Sequence, residues 1–125
     1  MDYSKMSDFE INCAVAATLG KECFHNSHGE PGRRRKAFVI DERCRDVYES
    51  GCWSSDVFDP CNNPADAWPV IVSDRIGLNF VNGIWRAQSM MTGWVEFSHE
   101  NPLRAAMIVY LQMQESANVQ DNPSR

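Results

Sequence analysis

The sequence predicts an α+β fold in which an antiparallel sheet of three to five strands packs against helices. Two observations lead to this fold class. An Asn-Gly pair at residues 82–83 separates two alternating apolar runs, which is typical of a β-hairpin. An Asn-Pro pair at residues 101–102 opens a long apolar run, which is typical of a helix start. With 125 residues, of which 43% are hydrophobic, residues 1–125 are predicted to form a single domain with one core.

The segment that starts at residue 7 predicts the first helix. Ser7 and Glu10 have the spacing of a capping box, in which each side chain accepts a hydrogen bond from the other residue's backbone N–H. Ile11, Val15 and Leu19 then recur on one side of the helix. This helix therefore has an apolar face to bury.

The middle of the chain, residues 21–60, is predicted to be a variable region of loop and strands. Residues 21–32 are polar and rich in Gly, His and Asn, which is typical of a loop. Strands are predicted at residues 36–40 and at residues 44–50.

The segment CNNPADAWPVI, residues 61–71, is compatible with two helix starts. In the first, Asn63 is the cap, Pro64 is the first helical residue and Asp66 lies in the first turn. Pro69 would then delete a backbone hydrogen bond inside the helix. In the second, Asn63 and Pro64 form a turn, Asp66 is the cap, and Pro69 falls in the tolerant first turn. The second start costs less free energy, so we prefer it.

A three-stranded antiparallel meander is predicted over residues 76–98. The Asn-Gly pair suits a type I′ turn, because both turn residues must adopt positive φ. The paired strands are expected at residues 76–81 and 84–89, and a third strand at residues 94–98.

The last helix is predicted to be the central element of the fold. Asn101 can cap it and Pro102 suits its first position. Apolar residues follow on nearly every side, with Ile108 and Val109 opposite the main apolar stripe. Such a helix is buried on more than one side, by the rest of the chain or by an oligomer partner. The polar tail, residues 117–125, is predicted to fray.

Charge and hydropathy argue against several classes of function. A net charge of −5 repels phosphates, and the basic run Arg33–Lys36 is interpreted as a solvated loop rather than a nucleic-acid site. No apolar run approaches the roughly 20 residues of a membrane helix. The first residues lack the basic-then-apolar order of a secretory signal, so we expect the protein in the cytoplasm.

The cysteines and histidines do not form a convincing metal site. The five cysteines include no CxxC pair and are interpreted as small buried side chains. Cys23, His25 and His28 could supply three zinc ligands but no fourth, so a polar loop is the preferred interpretation. No metal and no cofactor are predicted.

A catalytic alternative would combine Cys61, His99 and Asp66 as a Cys/His/Asp set. Any chain with five Cys and three His offers such a triple somewhere. The structural interpretations are a packed thiol, a residue of the turn before the last helix, and a helix cap. These interpretations are preferred, and no catalytic residue is predicted.

Four of the five predicted ligand-binding residues lie at or close after the two Asn-Pro pairs. Trp68 could stack on a ring, Arg104 could bind a phosphate or carboxylate, and both follow helix starts whose free N–H groups can accept an anion. Asn63, Asp66 and Trp85 complete the predicted set. For each Trp, burial in the core is the competing interpretation.

Three segments together resemble a known family: MDYSKMSDFEIN, CNNPADAWPVI and NPLRAAMIVYLQMQ. They resemble the NinX-like proteins of tailed bacteriophages and prophages. The resemblance implies a small phage accessory protein in the host cytoplasm and implies no activity.

We therefore predict a non-enzymatic binder that inhibits or sequesters a host protein, or a small host metabolite or nucleotide-type signal. Two alternatives stay open. One is a small enzyme with a Cys/His site, and the other is an interaction module that acts through a homo-oligomer interface.

Overall fold

Seven strands and three α-helices form the part of the chain that the computed structural model describes, residues 2–19, 22–25, 37–41, 45–50, 55–91 and 95–120. The α+β fold class is confirmed. The strands divide into two sheets, one of four strands and one of three. Contacts along the chain group into two compact units, Met1–Asp59 and Pro60–Arg125. That the chain folds as one domain stays a prediction.

The first unit begins with a short 3-10 turn and helix α1. Their bounds are Tyr3–Lys5 and Asp8–Thr18. The predicted capping box is present: the Ser7 hydroxyl accepts from the Glu10 N–H at 3.2 Å, and the Glu10 carboxylate accepts from the Ser7 N–H at 2.9 Å. Ile11 and Val15 are fully buried, as predicted, whereas Leu19 at the helix end is exposed.

Four strands form the sheet of the first unit, in the order β1-β2-β3-β4. Their bounds are β1 Glu22–His25, β2 Ala37–Asp41, β3 Asp46–Ser50 and β4 Ser55–Val57. The predicted strands at 36–40 and 44–50 are confirmed as β2 and β3. The loop predicted over 21–32 is wrong at β1, which runs parallel to β2. Its hydrogen-bond partner is a strand further along the chain, which local periodicity does not reveal.

Helix α2, Pro64–Ser73, opens the second unit and decides between the two predicted helix starts. Asn63 is the cap, and its side-chain oxygen accepts from the Ala65 N–H at 3.0 Å. The preferred alternative, with Asp66 as the cap, is wrong, and Pro69 lies inside the helix. The carbonyl that loses its donor belongs to Ala65, an exposed residue, so water can replace the missing hydrogen bond.

The predicted meander is confirmed in the second unit. Strand β5 covers Ile76–Val81 and β6 covers Ile84–Ser89, the bounds predicted from the sequence. Asn82 and Gly83 have φ values of 55° and 82°, as a type I′ turn requires. Strand β7, Glu96–His99, pairs antiparallel with β6, so the sheet order is β5-β6-β7.

Helix α3, Pro102–Gln120, is the central element of the second unit, as predicted. It packs on all three strands of the meander and on α2. Every residue from Arg104 to Leu111 is buried. Ile108 and Val109 have no exposed surface within the single chain, so they are core residues and not surface contacts.

Some predictions lie outside the described residues. They concern the basic run Arg33–Lys36, His28 of the Cys/His cluster, and residues 121–125 of the tail. In the described part of the chain, no helix is both long enough and apolar enough to pass through a membrane.

Candidate functional site

The starts of α2 and α3 are joined by the side chain of Asn101. Its oxygen accepts from the N–H groups of Leu103 and Arg104 at 3.0 and 3.3 Å, which confirms the predicted cap of α3. Its amide nitrogen donates to the Cys61 carbonyl at 2.8 Å and to the Asn62 side chain at 3.3 Å. One amide group therefore caps α3 and holds the segment that leads into α2.

The same junction contains the three residues of the catalytic alternative. Cys61 has no exposed surface. The Nδ1 atom of His99 accepts from the Asn101 N–H at 2.9 Å, so this ring nitrogen already has a partner. Asp66 lies in the first turn of α2, where a carboxylate meets the positive end of the helix dipole. A buried thiol does not meet a substrate, so Cys61 fits the packed role and not that of a nucleophile.

The five predicted ligand-binding residues lie in different environments. Asn63 is exposed, but its side-chain oxygen is engaged in the cap of α2. Asp66 and Trp85 are half-buried. Arg104 is only 8% exposed and takes part in interactions within the chain. Trp68 is 62% exposed, and no hydrogen bond with another described residue engages its side chain.

Trp68 belongs to an apolar patch on the exposed side of α2. Val72 follows four residues later, on the same side of the helix, and is 54% exposed. The opposite side of α2 buries Ala67, Val70 and Ile71. We call Trp68 and Val72 the α2 patch. Val72 is not among the residues predicted from the sequence, although its four-residue spacing from Trp68 indicates it.

A second exposed aromatic group lies near the tip of the hairpin. Phe80 and Trp85 are directly opposite each other on β5 and β6. Their rings meet edge to face, with centroids 5.3 Å apart and an interplanar angle of 60°. Phe80 is 61% exposed. Phe80 is not among the residues predicted from the sequence, although the register of the Asn-Gly hairpin places it opposite Trp85.

The predicted Cys/His cluster falls on β1 and beyond it. The backbones of Cys23 and His25 form part of β1. Among the residues that the structure describes, no group of three or more His, Cys, Asp or Glu side chains could hold a metal ion. That the protein binds no metal stays a prediction.

Comparison with known proteins identifies one family. The family model described as "Bacteriophage P22, NinX" matches residues 2–114. Apart from Met1, this range includes all three segments on which the resemblance rests. No curated protein sequence and no solved structure matches the chain.

Proposed function

The chain belongs to the bacteriophage P22 NinX family, and we propose that it is a phage accessory protein that binds a host protein through the α2 patch. In this proposal the protein is not an enzyme. It acts in the host cytoplasm by occupying the surface of its partner, which inhibits or sequesters that partner. The exposure of Trp68, 62% on one face of helix α2, is the observation that carries the proposal.

Tryptophan is the residue type most suited to anchor a protein interface. Interface hot spots are enriched in Trp, which contributes a large apolar surface at low entropic cost. Exposed polar residues flank the patch along the chain: Asn62 and Asn63 precede α2, and Ser73 is its last residue. An apolar anchor with a polar rim is the usual arrangement of an interface.

The fold also holds the α2 patch in place before binding. The opposite side of α2 is buried, and its first turn is capped by Asn63. The preceding segment is fixed by the two hydrogen bonds from Asn101 to Cys61 and Asn62. A rigid binding surface loses little conformational entropy on association, which favours affinity.

A protein partner explains these environments better than a small metabolite does. Arg104, which was expected to meet a phosphate or carboxylate, is 92% buried, since its exposed fraction is 8%. The side-chain oxygen of Asn63 is engaged in the cap. Two of the polar groups that would orient a small ligand are therefore buried or hydrogen-bonded within the chain. The side chains of the α2 patch, in contrast, are exposed.

Affinity capture from host cell lysate tests the proposal. The tagged full chain is compared with Trp68→Ala and with the control Met91→Ala, which removes a side chain of matching exposure, 60%, outside α2. We expect Trp68→Ala to weaken capture about 30-fold, which corresponds to the ~2 kcal/mol of a hot-spot residue. Met91→Ala should capture as the unmodified chain does.

Two results would contradict the proposal. One is equal capture by Trp68→Ala and the unmodified chain. The other is a thermal shift with a nucleotide or metabolite in the absence of any captured protein, which would favour a small-molecule ligand instead.

A further inference from the structure

We infer that two copies of this chain pair through strand β5, so that their three-stranded sheets join into one antiparallel sheet of six strands. The inference rests on the backbone groups of β5 and does not depend on the α2 patch.

One edge of β5 has no strand partner in the described ranges of the chain, because the sheet order is β5-β6-β7. The two-residue turn makes Val81 and Ile84 a hydrogen-bonded pair. Backbone groups then alternate along β5, so the N–H and C=O groups of Ile76, Leu78 and Phe80 are directed away from β6. The ligand that matches such a row of donors and acceptors is another extended strand.

The β5 strand of a second copy satisfies this row completely. A twofold axis through Leu78 places Leu78 opposite Leu78 of the second copy. The same axis places Ile76 opposite Phe80 of the second copy, and Phe80 opposite Ile76. Each such pair exchanges two hydrogen bonds. All three outward-directed residues are therefore paired, without any shift in the existing ladder between β5 and β6.

In its own sequence and register, strand β5 lacks the charge, proline and bulge that usually protect an edge. Its sequence, IGLNFV, contains no charged residue and no proline, and its register with β6 is continuous from Ile76 to Val81. The opposite edge, β7, has only four residues and includes Glu96. Pairing through β5 leaves two copies of this short, charged edge at the ends of the joined sheet, so the assembly closes as a dimer.

The side chains of β5 add an apolar contribution to the pairing. Ile76, Leu78 and Phe80 share one face of the sheet, because side chains alternate along a strand. Ile76 is 6% exposed whereas Phe80 is 61% exposed. In the twofold register, the exposed Phe80 of one copy lies beside the buried Ile76 of the second copy. The pairing therefore covers part of the apolar surface that Phe80 exposes in the single chain.

The molar mass of the full chain, measured by light scattering over a concentration series, tests the dimer. We expect the mass to rise from 14.2 kDa to twice this value. Phe80→Pro should remain at 14.2 kDa at every concentration, because proline removes an outward N–H that the hairpin itself does not use. Phe80→Thr keeps this N–H and should retain more dimer than Phe80→Pro. Equal loss in the two variants would contradict main-chain pairing.

Amide hydrogen exchange on the unmodified chain identifies the surface, even if Phe80→Pro fails to fold. The N–H groups of Leu78 and Phe80 should exchange at least tenfold more slowly at high than at low protein concentration. Those of Asn79 and Val81 should not change, because they already bond to β6. A chain that stays at 14.2 kDa, or a dimer without this protection of Leu78 and Phe80, would overturn the inference.

Discussion

At the scale of single residues, Asn101 illustrates how one polar side chain positions two helices. Its four hydrogen bonds reach two N–H groups at the start of α3 and two acceptors before α2. Asn63, by comparison, accepts one hydrogen bond at the start of its own helix. The polar residues around the Asn-Pro pairs are therefore mainly engaged with the fold.

Asn101→Ala should accordingly destabilise the protein more than Asn63→Ala. We expect Asn101→Ala to lower the free energy of unfolding by about 2 kcal/mol, because it removes a helix cap and additional hydrogen bonds. The matched variant Asn63→Ala removes only a cap and should cost about 1 kcal/mol. Urea denaturation measures both values, and equal losses would mean that the bonds to Cys61 and Asn62 contribute nothing.

Glu10 gives the fold a defined dependence on pH. The backbone N–H of Ser7 lowers the pKa of the Glu10 carboxyl below its ordinary value of 4.5, and the Ser7 hydroxyl and the charge of Arg45 add to this effect. Arg45 is held nearby by a 3.2 Å hydrogen bond to Ser7 and by its position over the Phe9 ring. Because the pKa is lower in the folded state, this stabilisation is present above the unfolded pKa and is lost as pH falls through the folded pKa.

NMR titration of the Glu10 carboxyl tests this assignment. We expect a midpoint below 4.5 in the unmodified chain and a higher midpoint in Ser7→Ala. Glu10→Gln should make stability less dependent on pH over the same acidic range. A midpoint that is the same with and without the Ser7 side chain would show that the hydroxyl does not contribute.

At the scale of elements, local sequence patterns predict the elements that depend on neighbouring residues. They do not predict the elements that depend on contacts with distant parts of the chain. The hairpin was predicted to the residue, because the Asn-Gly turn fixes its own register. Strand β1 was missed, because its partner β2 begins beyond an intervening segment and pairs in parallel. The sequence favours the wrong start of α2, because the cost of Pro69 inside the helix depends on the exposure of Ala65, which no local pattern reveals.

Pro69→Ala should stabilise α2, since it restores a donor for the Ala65 carbonyl and relieves crowding. We expect the free energy of unfolding to rise by about 2 kcal/mol, after allowance for the greater freedom of the unfolded chain. Pro64→Ala is the matched control and should change little, because proline is well accommodated at the first helical position. Chemical denaturation measures the free energy of unfolding of both variants. A loss of stability in Pro69→Ala would mean that α2 needs the proline for its packing.

At the scale of the whole molecule, helix α3 is predicted to be central because it is apolar on nearly every side. The structure confirms this for the second unit, where the meander and α2 pack on it. Of the candidate site, Trp68 could be predicted from its type and its position at a helix start. Val72 and Phe80 required knowledge of which faces are left exposed, and the burial of Arg104 depends on tertiary packing that no local pattern contains.

Ile108→Glu tests whether α3 is internal core or an interface. Because Ile108 has no exposed surface in the single chain, we expect an unpaired buried charge to cost more than 4 kcal/mol and to abolish folding. Ile108→Val, the control, should cost about 1 kcal/mol and retain the fold. Circular dichroism with light scattering distinguishes the outcomes, and a folded Ile108→Glu chain of lower mass would instead indicate an oligomer interface at this residue.

In this proposal the polar residues around the Asn-Pro pairs stabilise the fold, whereas the α2 patch binds the partner. One variant should then lose mainly stability, and another should lose mainly partner capture. The most direct measurement determines both quantities on Asn101→Ala and Trp68→Ala, with capture normalised to the folded fraction of each bait. We expect Trp68→Ala to lose about 30-fold in capture while its unfolding free energy stays within about 0.5 kcal/mol of the unmodified value. Asn101→Ala should lose stability and retain most of its capture, because it leaves the α2 patch itself intact and only loosens the segment before α2. The reverse pattern, in which folded Asn101→Ala no longer captures the partner and Trp68→Ala still does, would contradict this division of roles.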